Sequence, residues 1–111
     1  MSECKPLSAE IEQKVAGYLG LAQKARRLVA GDAATVTALS AGKACLVVLA
    51  IDAAAKVQEE IGGLATAKHV PLIYWRDKNS LGAVVGRSRR GAIAIIDTGF
   101  AAAIEKCLSE F

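Results

Sequence analysis

A chain of 111 residues favours one domain over residues 1–111, with residues 1–7 a loose N-terminal segment, and its 53% hydrophobic content is ample for a core. Only 5% of residues are aromatic, so Ala, Val, Ile and Leu must fill that core, and three widely spaced cysteines without a CxxC exclude a disulfide framework or a cysteine zinc site. The net charge of +3 and pI of about 8.9 are too mild to mark a polyanion-binding chain by their total, so the clustering of charge matters more.

The polar stretch from Met1 to Pro6 carries no secretory signal. Ser8 caps a first helix, with Glu10 and Glu12 at its positive end and Ile11, Val15, Tyr18, Leu19 and Ala22 at helical spacing. This helix closes in the basic run Lys24 to Arg27, and Leu28-Val29 forms a short strand before Gly31. Asp32 reads as the cap of a second helix over 33–41, stopped by Gly42. The run Ala44 to Ile51 reads as a fully buried strand and is far too short to cross a bilayer. Asp52 opens a third helix to about Ala67, with Val57, Ile61 and Leu64 inward and Gly62-Gly63 weakening its later part. Val70 to Trp75 is a strand, and Asp77 or Asn79 caps a short helix carrying Leu81, Val84 and Val85 that ends at Gly86. After an arginine-rich loop, Ala92 to Ile96 is a strand, and a last helix runs from about Gly99 to Glu110. Alternating strands and helices predict an α/β fold, a three-layer α/β/α sandwich around a small mixed sheet of about four strands, whose order cannot be read from periodicity.

Catalytic chemistry finds little support. Asp97-Thr98-Gly99 has the letters of an aspartic-protease triplet, but it sits between a strand and a helix near the C-terminus, where Asp97 or Thr98 serves as a helix cap. Gly42-Lys43 is no phosphate-binding loop, because Thr37 stands where the first glycine belongs, Ala44 closes the motif, and the helix precedes the strand. His69 is the only histidine and lacks carboxylate or thiolate company, which makes it a surface or loop residue and leaves no metal site. Cys45 in the strand run, and Cys107 beside Ile104, Leu108 and Phe111, read as buried inert thiols; Cys4 lies in the N-terminal segment. No enzyme activity and no cofactor are expected.

The basic residues are more pointed. Arg87-Ser88-Arg89-Arg90 is bounded by Gly86 and Gly91, which let backbone approach a ligand closely, and guanidinium forks suit phosphate oxygens and guanine edges. The amides of a helix entrance at Gly31-Asp32 suit phosphate or base acceptors, although the Asp32 carboxylate also satisfies them as a cap. Lys24, Arg26, Arg27 and Lys43 are supporting cations. Structured RNA is the ligand this pattern favours.

The order of motifs is that of a known family. Gly20 to Gly31 (GLAQKARRLVAG), the Gly42-Lys43-Ala44 turn, Leu46 to Asp52 ending in Ala-Ile-Asp-Ala, Val70-Pro71, Leu81-Gly-x-x-x-Gly86 and the closing AIAIIDTGF follow one another at its spacing. Together they resemble the ribosomal protein L7Ae/L30e family, in its bacterial YlxQ-like branch, over roughly residues 15 to 108. The resemblance implies an α/β/α sandwich and non-catalytic binding of kink-turn or related RNA, with the second helix entrance and the loop before the last strand facing it. The family's Gly-x-Asn-Glu-x-x-Lys pattern keeps Gly31 here, but Ala33 and Ala34 replace Asn and Glu, and Thr37 stands at the Lys position. Losing such base contacts forfeits roughly 1–3 kcal/mol of discrimination each. Arginine–phosphate contacts in the more basic 87–90 loop restore affinity with steep salt dependence. The expected RNA-binding set is therefore Gly31, Asp32, Ala33, Ala34, Thr37, Arg87, Ser88, Arg89 and Arg90. The partners expected are ribosomal or kink-turn-like RNA, with ribosomal or translation proteins beside it and no membrane, and the chain is expected to be cytoplasmic and monomeric when free. The alternative is a protein–protein module on the same scaffold that has lost RNA binding, a reading motivated by the small, bland face of Ala33, Ala34 and Thr37.

Overall fold

All four residues of Leu46–Leu49 are buried, as a strand's residues are only when both faces of its sheet are covered. The computed structural model describes residues 9–109 and supplies those covers. Strands β1 (Leu28–Ala30), β2 (Leu46–Leu49), β3 (Leu72–Tyr74) and β4 (Ala92–Ile95) alternate with helices α1 (Ala9–Lys24), α2 (Asp32–Ser40), α3 (Ala55–Ala67), α4 (Lys78–Val84) and α5 (Thr98–Ser109). The expected Ser8 cap, the loose 1–7 segment, Cys4, Glu110 and Phe111 lie outside the described residues.

The sheet has the order β1-β4-β2-β3 and is mixed, with β2 parallel to β3 and β4 antiparallel to both β1 and β2. Side chains alternate between its faces. Leu28, Leu46, Val48, Ile93 and Ile95 join Val15 and Leu19 of α1, Leu81 of α4 and Ile104 of α5. Val47, Leu49, Ala92 and Ala94 join Leu39 of α2 and Ile61 and Ala65 of α3. The expected α/β/α sandwich is the observed architecture.

Four local expectations are corrected. Strand β2 ends at Leu49, and Ile51 is not buried but 64% exposed, because the chain turns at Ala50 and the Ile51 amide donates to the Arg76 carbonyl at 2.7 Å. Asp52 does not open α3; its Oδ1 accepts from the Lys78 amide at 2.8 Å, and Ala54 occupies the cap position. Asp32 is the first residue of α2 rather than its cap, a position taken by Gly31. Cys45 is half-buried just ahead of β2, whereas Cys107 is buried as expected. Asp77 does cap α4, accepting from the Ser80 amide at 2.8 Å, which holds its carboxyl below the usual range. That contribution is present at neutral pH and fades as the carboxyl is protonated in acid. Asp97 Oδ2 likewise accepts from the Phe100 amide at 3.0 Å at the start of α5. The glycine pair Gly62-Gly63 leaves α3 unbroken.

Helices α1 to α4 close in one way. The amide three places beyond the helix reaches back five residues, as Arg27 to Ala22 at 2.7 Å and Lys43 to Ala38 at 2.9 Å, and the residue just before that amide is left-handed. Glycine fills that position after α2 and α4 (Gly42, φ 73°; Gly86, φ 69°), but Arg26 (φ 59°) and His69 (φ 57°) fill it after α1 and α3.

Strand direction sets which loops meet. Strands β1, β2 and β3 run one way and β4 the other, so the segments after the first three gather with the loop before β4 at one end of the sheet. Backbone bonds lock this end: Gly31 donates to the Ala92 carbonyl at 2.8 Å and Ala50 to Gly91 at 2.9 Å. The 86–91 loop lies on α4, with the Arg87 amide on the Gly82 carbonyl at 2.8 Å and the Arg90 amide on Lys78 at 3.2 Å. Gly82 is buried flush against the Ser88 carbonyl, and a β-carbon there would overlap it.

His69→Gly should relieve a left-handed residue, worth roughly 1–2 kcal/mol, offset by about 0.4–1 kcal/mol of added unfolded-state freedom. A rise in urea midpoint corresponding to at most about 1.6 kcal/mol is expected, and a fall would contradict it. Gly82→Ala should cost about 1–3 kcal/mol by the same measurement, because two packed backbones must separate.

Candidate nucleic-acid interface

Gly31 holds φ 116° and ψ 155°, a conformation that excludes a side chain, and so turns the chain from β1 directly into α2. Among the described residues no side-chain hydrogen bond caps α2, and Asp32 stands exposed in its first turn. A helix N-terminus left open in this way favours external acceptors. Ala33 and Thr37 are exposed and Ala34 is half-buried along the same helix. Ala34 and Thr37 border a groove of about 360 Å³ with Val29, Ala38, Ala41, Lys43 and Ile96, which is mostly apolar.

The arginine loop reaches this entrance from α4. Arg87, Ser88 and Arg89 are exposed, whereas Arg90 is half-buried. Arg90 Nη1 donates to the Ser88 carbonyl at 3.2 Å, to Ser88 Oγ at 3.0 Å and to the Arg89 carbonyl at 2.9 Å. Its guanidinium thus braces the loop, while Arg87 and Arg89 carry no ion pair among the described residues. A β-carbon on Gly31 would lie 3.9 Å from Arg90 Cδ, and one on Gly91 would lie 3.0 Å from Asp32 Oδ1. Gly31-Asp32 and Arg90-Gly91 are therefore neighbours, each glycine making room for the other segment's side chain.

Other residues are placed elsewhere. Lys24, Arg26, Arg27 and Lys43 stand at the ends of α1 and α2, ahead of β1 and β2, and so at the opposite end of the sheet. The structure does not bring them to the Gly31 entrance. His69 is exposed in the turn after α3, and no group of three or more His, Cys, Asp or Glu side chains among the described residues could hold a metal. Within those residues no helix is long and apolar enough to cross a membrane.

Sequence reasoning missed three contributors at the Gly31 end. Ile51 presents an exposed apolar side chain in the turn after β2, hidden in the sequence because it extends an apolar run. Asp52 ties that turn to α4. Gly82 seats the arginine loop, and only its place in the Leu81-Gly-x-x-x-Gly86 spacing hinted at a role.

With this geometry the chain can be set beside known proteins. It is 30% identical over 83 residues to the RNA-binding protein YlxQ of Bacillus subtilis (strain 168), covering 75% of this chain and 83% of that one. Against the RNA-binding protein YlxQ of Enterococcus faecium it is 27% identical over 89 residues, 80% of this chain and 85% of the other. A Bacillus halodurans protein of unknown function superposes with a TM-score of 0.81 at 27% identity, over 86% of this chain and 97% of that one. The Giardia lamblia 15.5kD RNA binding protein shares the fold, with a TM-score of 0.77 at 18% identity over 95% of this chain and 90% of its own. Residues 13–105 match the sequence model of the ribosomal protein L7Ae/L30e/S12e/Gadd45 family, and the chain belongs to that family, in the branch of the bacterial YlxQ proteins.

Proposed function

We propose that this protein is a non-catalytic, ribosome- or translation-associated RNA-binding protein of the cytoplasm. It works as one domain over residues 1–111, is monomeric when free, and grips structured RNA where the α2 entrance meets the arginine loop. The observation that carries the reading is the adjacency of Gly31-Asp32 and Arg90-Gly91, which sets the head of α2 beside the loop that carries the exposed Arg87 and Arg89. The names of the YlxQ relatives support RNA as the ligand.

Each residue has a distinct role. Gly31 admits backbone close to the ligand, the first-turn amides through Ala33 and Ala34 take acceptors, and Asp32 accepts from base amino groups while repelling phosphate. Arg87 and Arg89 take phosphate oxygens, with Ser88 between them, and Arg90 holds their loop in shape. Ala33, Ala34 and Thr37 supply no base-reading polar fork, so kink-turn selectivity is reduced and phosphate contact dominates.

Binding to a kink-turn RNA and to ribosomal RNA fragments, measured across a salt series, tests this. The Arg87→Ala/Arg89→Ala chain should lower the slope of log affinity against log salt by up to about 2. Equally weak binding by both proteins to every RNA would leave the protein-interaction module as the reading.

Restoring the family's side chains tests the second half. Ala33→Asn with Ala34→Glu and Thr37→Lys should tighten kink-turn binding by roughly 1–3 kcal/mol for each base contact regained. A combined variant that folds but binds a kink-turn no better than the original chain would refute the role given to these positions.

A further inference from the structure

The two ends of the sheet differ in charge. At the Gly31 end, Arg76, Lys78, Arg87, Arg89 and Arg90 are interspersed with Glu12, Asp32, Asp52 and Asp77, and Arg76 is already paired with Glu12 at 3.1 Å. At the opposite end, Lys24 in the last turn of α1, Arg26 and Arg27 before β1, Lys43 before β2 and Lys68 before β3 are all exposed. None of the five makes an ion pair among the described residues. Asp97 adds one negative charge at that end, its Oδ2 accepting from the Phe100 amide at 3.0 Å. The more concentrated positive field therefore faces away from the arginine loop.

Backbone bonds fix this second group as firmly as the first. Ile96 donates to the Arg27 carbonyl at 2.9 Å, Cys45 to Ile95 at 2.7 Å and Val47 to Pro71 at 2.9 Å, which anchors the three turns to the sheet. With strands ~4.8 Å apart, a row from the β1 edge to the β3 edge extends roughly 14 Å. Phosphates that succeed one another every ~3.4 Å along a stacked strand would meet several of these cations. Arg26 occupies the left-handed position that Gly42, His69 and Gly86 fill after the other three helices. The neighbouring groove is bordered by Val29, Ala38, Ala41 and Ile96, with Lys43 itself and, farther along α2, Ala34 and Thr37. Such a surface attracts a polyanion without reading base edges.

We infer that the end of the sheet formed by Lys24, Arg26, Arg27, Lys43 and Lys68 is a second RNA-contact surface, one that holds phosphate backbone independently of sequence. The inference rests on the RNA-binding reading above and adds a site to it. One molecule thus engages structured RNA at the Gly31 end and a further stretch of backbone at the other. Cations at helix C-termini ordinarily serve as dipole partners, and that role alone would make their removal cost stability while leaving RNA binding unchanged.

The test is a salt series with a poly-uridylate oligomer, using the full chain and a variant carrying Lys24→Gln, Arg26→Gly, Arg27→Gln and Lys43→Gln. Arg26→Gly removes the charge while easing the left-handed backbone, and far-ultraviolet circular dichroism reports folding. The slope of log affinity against log salt should fall by roughly 2–3, at ~0.7 for each phosphate no longer neutralised. If the four-site variant unfolds, Lys43→Glu with Lys68→Glu, both in exposed turns, carries the same test with the same direction expected. An unchanged slope, alongside the expected decrease in the Arg87→Ala/Arg89→Ala chain, overturns the second surface and leaves the first reading standing. Absence of RNA binding by the unsubstituted chain at low salt overturns both. Binding to phosphatidylserine vesicles in place of poly-uridylate overturns the RNA assignment of this surface in favour of a membrane.

Discussion

Strand β4 lies antiparallel between β1 and β2, and the placement of every loop follows from that reversal. Were β4 parallel to its neighbours, the loop leading into it would emerge at the other end of the sheet, among Arg27 and Lys43. Instead Arg87 to Arg90 arrive beside Gly31, and the Gly31 amide closes the junction on the Ala92 carbonyl at 2.8 Å. Hydrogen bonds to these strand-end backbones are satisfied by other strands or loops, as buried peptide groups require. The loop therefore has little freedom to sit elsewhere without leaving such groups unpaired. Small residues assist the fit: Ala92 and Ala94 face α2 across the sheet, and Gly82 lets α4 lie directly on the loop backbone.

Periodicity and local capping are legible in the amino-acid sequence, because they depend on neighbours along the chain. The apolar run around Leu46–Leu49, the Ala92–Ile95 strand and the Asp77 cap are of this kind. Asp32 and Asp52 show where that reasoning fails. Each precedes a helical pattern and fits a cap equally well, yet Asp52 takes the amide of Lys78, 26 residues away, and Asp32 packs against Gly91. A short carboxylate accepts from whichever amide the fold delivers, and sequence spacing does not reveal distant amides. Ile51 misleads for a related reason, since one further apolar letter looks the same whether a strand continues or turns.

The site is half visible in the same sense. A basic tetrapeptide between glycines can be recognised from its letters, as can Gly31 ahead of a helix. Their adjacency is a product of strand order, which pairing partners distant in sequence decide. The division of labour among the arginines is equally out of reach of the letters. Three guanidinium groups are chemically alike, but Arg90 is folded onto Ser88 and Arg89 while Arg87 and Arg89 stand exposed. Similarly, Lys24, Arg26 and Arg27 look like one reserve of charge with the 87–90 loop until β1 is placed between them and Gly31.

What selectivity this surface can have follows from what it lacks. Ala33 and Ala34 present methyl groups at the entrance, and Thr37 a single hydroxyl, so bidentate recognition of a base has no fork to work with. Charge alone would bind any RNA, and its affinity would fall steeply with salt. Geometry remains: the head of α2, a braced loop beside it, and two exposed arginines carried on that loop. On the proposed reading, an RNA that presents phosphates in that arrangement gains all of these contacts at little cost in ordering the protein, because Arg90 has already restricted the loop. An RNA of another shape gains fewer of them for the same desolvation. Discrimination would then come from the shape of the RNA, with the bases acting through the shape they impose.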